Sequence, residues 1–303
     1  MRPLFALVLI SCAPALRTVT PDGPPPRFAL ASAEPRSLHR VLGVDLSVHD
    51  GGGDKPTLLC LHAIGHGGGD FAQVEAAFGA DWRVITVDWP GHGHSGPDTE
   101  PVSAQRYAVL LDALISELKL EHVVLLGNSI GGAAAMRYAA AHPENVRALV
   151  LANPGGLDPG GLFAGLFIGN LVSHFEQGER NEARFEPWFR GYYADILVTE
   201  SSRAQRERIV AAGYEHAPLL AQAWRSFAAP EANVGALIPT LTMPVLFTWA
   251  KRDALVSWDR NRAAVERFPH ATVEFFDAGH AAFLEDPEAF RESLARFLAT
   301  LPR

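Results

Sequence analysis

The sequence predicts an α/β fold, a mostly parallel sheet covered by helices and interrupted by a helical insertion. Three observations predict it. Apolar runs of strand length alternate with helix-period segments from residue 57 to 152 and again from 244 to 299. The stretch Gly127-Asn128-Ser129-Ile130-Gly131 sets a serine between glycines, after an apolar, β-branched run and before an Ala-rich one. Residues 155–235 carry helical patches rich in Leu, Phe, Trp and Tyr without any strand alternation.

A chain of 303 residues with 48% apolar content can bury a sizeable core. Its net charge of -8, without a long Lys/Arg run, argues against nucleic acid and anionic membrane surfaces as partners. There are two cysteines, Cys12 and Cys60. Cys60 falls inside a predicted buried strand, where it reads as a small packed apolar residue, so no disulfide framework is implied.

Residues 1–37 read as a leader and tether. Arg2 followed by the apolar run Leu4 to Ile10 resembles a short secretory signal, and Leu9-Ile10-Ser11-Cys12 resembles the lipobox of bacterial lipoproteins. The run is too short to span a bilayer as a permanent helix. Its one arginine and short apolar core leave a misassigned start or an unstructured extension as the competing account. Export, with a lipid anchor at Cys12, is favoured over a cytoplasmic location. The prolines between Val19 and Arg36 make an extended tether.

His39 to Val48 is broadly strand-like and Asp50 to Asp54 is a turn, so the domain opens with a hairpin-type pair. Thr57 to Leu61 is a buried strand ending in the Gly-rich loop His62 to Gly69, and a helix runs from near Asp70 through Phe78. Trp82 to Val87 is the next strand, closing on the turn Asp88 to Gly96. A helix over Ser103 to Leu118 precedes the serine strand, His122 to Leu126, and the helix Ile130 to Ala141. Val146 to Ala152 is a further strand. After the insertion come a strand over Pro244 to Trp249, a helix over Trp258 to Arg267, a strand over Thr272 to Phe276 and a closing helix over Pro287 to Ala299.

The serine falls at a strand-to-helix junction, where Gly127 and Gly131 leave room for a sharp turn that would hold its hydroxyl clear of both elements. On this motif, on Asp253 after the strand ending Thr248-Trp249, on His280 in Asp277-Ala278-Gly279-His280, and on the turn Asp88-Trp89-Pro90-Gly91-His92-Gly93, the chain resembles the α/β-hydrolase superfamily. The resemblance covers nearly all of the chain after the leader and keeps the family order of nucleophile, acid and histidine. It implies a core of residues 38–154 and 236–303, with 155–235 as a helical cap inserted after the sixth core strand. It also implies roles: Ser129 as nucleophile, His280 as general base, Asp253 as the carboxylate that orients His280. Asp158, after the preceding strand, is the rival acid.

The same resemblance points to the backbone N–H groups of Ile64 and Ile130 as the oxyanion hole. Here the sequence departs from its relatives, since their usual His-Gly is His62-Ala63. His62, His66, His92 and His94 invite a metal reading, but no carboxylate or cysteine completes a recognisable zinc pattern. No cofactor or metal is implied. Cap aromatics dock the cap for the most part, and the remainder would favour an apolar small-molecule substrate; Phe163, Phe167, Trp188, Phe189 and, from the core, Trp249 are the pocket candidates.

A serine nucleophile excludes the relatives that open epoxides or displace halide through an aspartate. Three functions stay open: a serine hydrolase of carboxylic esters or related acyl bonds, a carbon-carbon bond hydrolase of meta-cleavage-type dienones, and a non-catalytic binding protein on the same scaffold. The candidate triad argues against the last. Substrate identity and oligomeric state are left open by the sequence.

Overall fold

The computed structural model describes residues 36–158 and 160–302, so the leader and Cys12 lie outside the described residues. One sheet of eight strands organises the molecule: β1 (Ser37–Val41), β2 (Val44–Asp50), β3 (Thr57–Leu61), β4 (Arg83–Asp88), β5 (Val123–Asn128), β6 (Val146–Ala152), β7 (Val245–Ala250) and β8 (Ala271–Phe276). Their spatial order is β1-β2-β4-β3-β5-β6-β7-β8, and every pairing is parallel except β1 with β2 and β2 with β4. Strands β3, β5 and β7 are buried along their whole length, as continuous Val/Leu/Ile runs covered on both faces should be.

The opening hairpin forms, but its turn differs from the one expected. The chain reverses at Leu42 and Gly43, both with positive φ, inside the run that reads as one strand, and Asp50 instead ends β2. Two consecutive residues with positive φ match the right-handed twist of the flanking strands, and that twist decides the turn over the Gly-rich signal downstream.

The helices are α1 (Ala72–Phe78), α2 (Ala104–Glu117), α3 (Ile130–Ala141), α4 (Leu162–Glu179), α5 (Phe185–Ala194), α6 (Arg203–Ala211), α7 (Gly213–Phe227), α8 (Trp258–Val265), α9 (Ala282–Glu285) and α10 (Pro287–Ala299). The segment before α1 is a short 3-10 turn, Gly68–Phe71, where a continuous helix from Asp70 was expected. The Gly67-Gly68-Gly69 run disfavours the wider helix so close to its start. Helix α2 begins on Ser103, whose side chain accepts from the Arg106 backbone N–H.

Between β6 and β7 the chain leaves the sheet for α4 to α7, which stand over the strands' C-terminal ends. An aromatic cluster holds these helices together: Phe185 stacks on Phe189 at 4.9 Å, and Phe175 meets Trp188 edge-on at 5.3 Å. Each such side chain contributes about 1.5–3 kcal/mol when fully buried. Among the described residues no helix is long and apolar enough to cross a membrane.

Candidate active site

Ser129 sits where β5 passes into α3, with φ 53 and ψ -118, a region L-residues rarely occupy. The strain follows from packing. A Cβ on Gly127 would lie 2.6 Å from Gly132 Cα, and one on Gly131 would run into the Leu61 carbonyl oxygen. Only glycines let α3 start this close to β3 and β5. Since β3 and β5 are neighbours, with Leu61 beside Gly127, the loop after β3 and the start of α3 leave the sheet side by side. Ile64 lies on the first and Ile130 opens the second, so both residues lie at Ser129's edge of the sheet; Ile64 lines the cavity and Ile130 does not. At a helix start the N–H of Ile130 has no carbonyl in its own helix to bond.

His280 and Asp253 follow β8 and β7, also neighbours. Their side chains are 3% and 0% exposed, and His280 Nδ1–H donates to Asp253 Oδ2 at 2.7 Å. Burial alone would push the His280 imidazole down, but the charge and hydrogen bond of Asp253 outweigh it and raise the ring above its ordinary value. Asp253 Oδ1 accepts from the backbone N–H groups of Leu255 (2.7 Å) and Val256 (3.0 Å). The rival Asp158 is spent elsewhere: Arg260 holds it with two guanidinium nitrogens.

Two residues that the sequence did not single out complete this arrangement. Asn153, just after β6 and in a left-handed conformation (φ 39), accepts from Ala250 N–H at 2.8 Å and donates to Asp253 Oδ2 at 2.6 Å. It lies between the elbow and the acid because β6 lies between β5 and β7, and Asn tolerates that backbone better than most residues. Glu285 is a buried carboxylate shared by two loops. Oε1 accepts from Val198 (2.6 Å) and Thr199 (3.2 Å), beyond α5, while Oε2 accepts from Gly279 (2.8 Å) and Ala281 (3.3 Å), either side of His280. His280 N–H donates to the Ile196 carbonyl at 2.8 Å, and a Cβ on Gly279 would strike that same carbonyl. Gln at 285 keeps one acceptor oxygen and turns an amide donor toward the other N–H groups. Glu285→Gln is therefore expected to cost about 1–3 kcal/mol, lowering the melting temperature by about 2–4 °C per kcal/mol; an unchanged melting temperature would contradict the strap.

The buried histidines brace the Ile64 loop. His62 Nδ1–H donates to the Ala63 carbonyl (2.6 Å), and Nε2 accepts from Trp89 N–H (2.9 Å). His92 repeats the pattern, with Nδ1–H on the Pro90 carbonyl (2.9 Å) and Nε2 accepting from Gly65 N–H (3.0 Å). Burial pushes both imidazoles down, His92 to about 4. Neutral rings with both nitrogens on backbone groups have no lone pair left for a metal. His66 bonds Asp70 at 2.6 Å, and the His94 backbone N–H donates to Asp88. Asp88 also accepts from Gly68 N–H (2.8 Å) and pairs with Arg36 (3.3 Å), pinning the Gly-rich loop to the sheet.

A cavity of about 600 Å³ opens between this edge and the inserted helices, reaching Ser129, His280, Ile64 and His66 on the core side. Opposite stand Phe167, Ile168, Tyr192, Tyr193, Trp224 and Phe227. Of the pocket candidates, Phe167 faces the cavity; the side chain of Phe163 lies outside the described residues. Trp188, Phe189 and Trp249 do not line it. Trp188 stacks on His174 at 4.3 Å and Phe189 is fully buried against Phe185, because their turn of α5 packs on α4 and α7. One turn later, Tyr192 and Tyr193 project to the cavity instead. Trp249 is buried on β7 beneath Trp258. Tyr192 and Tyr193 follow Trp188 and Phe189 by four residues and so share their face of α5; periodicity marks an apolar face, and it cannot tell which turn along that face reaches a cavity.

A family profile described as alpha/beta hydrolase fold matches residues 56–287. A 2-hydroxy-6-oxononadienedioate/2-hydroxy-6-oxononatrienedioate hydrolase of Cupriavidus pinatubonensis is 29% identical over 261 residues, 82% of this chain and 89% of that protein. A pimeloyl-[acyl-carrier protein] methyl ester esterase of Xanthomonas campestris is 30% identical over 263 residues, 82% of this chain and 98% of that protein. Among solved structures, an esterase from Exiguobacterium antarcticum superposes with a TM-score of 0.76 at 21% identity, over 87% of this chain and 99% of that one.

Proposed function

This chain belongs to the α/β-hydrolase family, and we propose that within it the protein is a serine hydrolase cleaving a carboxylic ester or related acyl bond of a largely apolar small molecule. One observation carries the reading: Ser129, on its strained turn, and His280, held by the buried Asp253, open onto the same largely apolar cavity. In this mechanism His280 takes the Ser129 proton as Oγ attacks the acyl carbon. The oxyanion that forms is held by the N–H groups of Ile64 and Ile130. His280 then returns the proton to the leaving alcohol, and an acyl-enzyme remains. Water attacks it by the same route, with His280 again the base. Asp253 keeps the His280 proton on Nδ1 and stabilises the imidazolium.

The carbon-carbon reading is second, and charge separates the two. The dienedioate named for the Cupriavidus relative carries two carboxylates. Among the described residues the cavity lining holds one guanidinium, Arg260, already committed to Asp158. An ester with an apolar acyl group needs no such cation. Hydrolysis of chromogenic esters of graded acyl length, with a dienone assayed alongside, tests the choice. Each added methylene should raise kcat/KM up to about fourfold, from about 0.8 kcal/mol per buried CH₂, until the cavity is filled. Turnover of the dienone with all esters inert would overturn the ester reading.

A further inference from the structure

The cavity holds a second buried His–Asp pair that the proposed mechanism does not use. His66 and Asp70 both come from the core, on the Gly-rich loop and the 3-10 turn that follows it, and both are almost fully buried. His66 Nδ1 bonds Asp70 Oδ2 at 2.6 Å, while the other carboxylate oxygen, Oδ1, accepts from Gln205 Nε2 of α6. Arg208 in turn donates through Nε to Gln205 Oε1 at 2.9 Å, which fixes the amide so that its NH₂ faces Asp70. The pair is thus oriented from both ends, by the loop and by the inserted helices. Its ring also meets Tyr193, at 5.8 Å between centroids.

Orientation decides what this pair can do. With Nδ1 committed to a carboxylate, the imidazole carries its proton there, and Nε2 is the lone-pair nitrogen. His66 lines the same cavity as Ser129 and His280, and of its two ring nitrogens Nε2 is the one that Asp70 does not take. A buried carboxylate is a costly device for merely filling space. It is well suited to holding one acceptor in a fixed direction inside an otherwise apolar wall.

We propose that His66, held by Asp70, is a specificity-determining residue that accepts a hydrogen bond from a hydroxyl on the substrate. The substrates it favours are therefore hydroxy-substituted acyl esters over their unsubstituted parents. This rests on the ester-hydrolase reading above, and it names the substrate class. No bond is made or broken at His66, and its proton stays on Nδ1 throughout.

The test compares kcat/KM for plain acyl esters with their 2-, 3-, 4- and 5-hydroxy counterparts and with the oxo ester of each position, in the full-length wild type and two variants. In the wild type, one hydroxy isomer should exceed its plain parent by about fivefold or more, the scale of one net hydrogen bond. His66→Leu removes the acceptor, and the ratio of hydroxy to plain ester should fall to about one. Asp70→Asn is the more telling variant. Asn keeps an oxygen for Gln205 but turns an amide donor toward His66 Nδ1, so the ring proton moves to Nε2. The preference should then shift from the favoured hydroxy ester toward the oxo ester of the same position, whose carbonyl can accept. Each ratio is internal to one protein, so a general loss of folding or rate cancels. A role confined to bracing the loop would lower all esters together and leave the ratios unchanged, which overturns the proposal. So does a wild type that hydrolyses plain esters with no preference among the hydroxy isomers. Failure of every ester, with no labelling of Ser129 by a fluorophosphonate, is a different result: it removes the ester reading itself and the proposal with it.

Discussion

Ser129→Ala is expected to reduce ester turnover by about 10⁴- to 10⁶-fold, with the fold retained. The hydroxyl is the only group lost, and the backbone strain at φ 53 is set by neighbours that the substitution leaves in place: the Gly127 and Gly131 contacts and the hydrogen bond from Ser129 N–H to the Ala152 carbonyl. Alanine keeps its Cβ where serine has one, so the turn gains no clash and no new freedom. Residual turnover near the wild-type level would mean that another group attacks, and the reading of the cavity would fail with it. Unchanged far-ultraviolet circular dichroism and an unchanged melting temperature show whether the loss is chemical.

Asp253→Asn is expected to cost about 10⁴-fold in kcat. An Asn oxygen can still receive Leu255 and Val256 N–H, but its amide would then point at the Nδ2 of Asn153 and at His280 Nδ1–H, two groups that both donate. Donor against donor is relieved by moving the His280 proton to Nε2, which takes away the lone pair Ser129 needs. The pH profile carries a second signature. The proposed mechanism requires neutral His280, whose ionisation Asp253 raises above the ordinary value, so wild-type activity should fall as pH drops through a point above that value. Without the carboxylate, burial dominates and the acid limb should move to lower pH. Asp158→Asn is the control. Its partner Arg260 is half-exposed, and such pairs contribute about 0–1 kcal/mol, so the change should be about fivefold or less in kcat/KM. A large loss in Asp158→Asn with a small one in Asp253→Asn would exchange the two acids.

The inserted helices bear on the same chemistry through Glu285. Its four backbone donors come in equal parts from the segment after α5 and from the His280 loop, so the helices that wall the cavity are tied to the imidazole that would take the serine proton. Displacing one side without the other would leave buried N–H groups unpaired, at about 1–3 kcal/mol each.

The local signals were legible from residue order. Alternation of apolar runs with helical periods determined a parallel sheet, and the glycines around Ser129 determined a strand-to-helix turn, because each depends on residues a few positions apart. The aromatic run of 185–193 likewise announced a helical insertion with a large apolar face. The tertiary structure alone decided what depends on strand order. Asp253 rather than Asp158 meets His280 because β7 lies beside β8, while Asp158 falls within reach of Arg260 on α8. Asn153 and Glu285 carry no motif, since an amide or a carboxylate is marked only by the N–H and C=O groups that fold around it, here 97 and 87 residues distant in sequence. Which aromatics see the cavity was also decided in three dimensions: Trp188 and Phe189 share a face of α5 with Tyr192 and Tyr193 one turn on, and only the packing of the first pair against His174 and Phe185 leaves the second to line it.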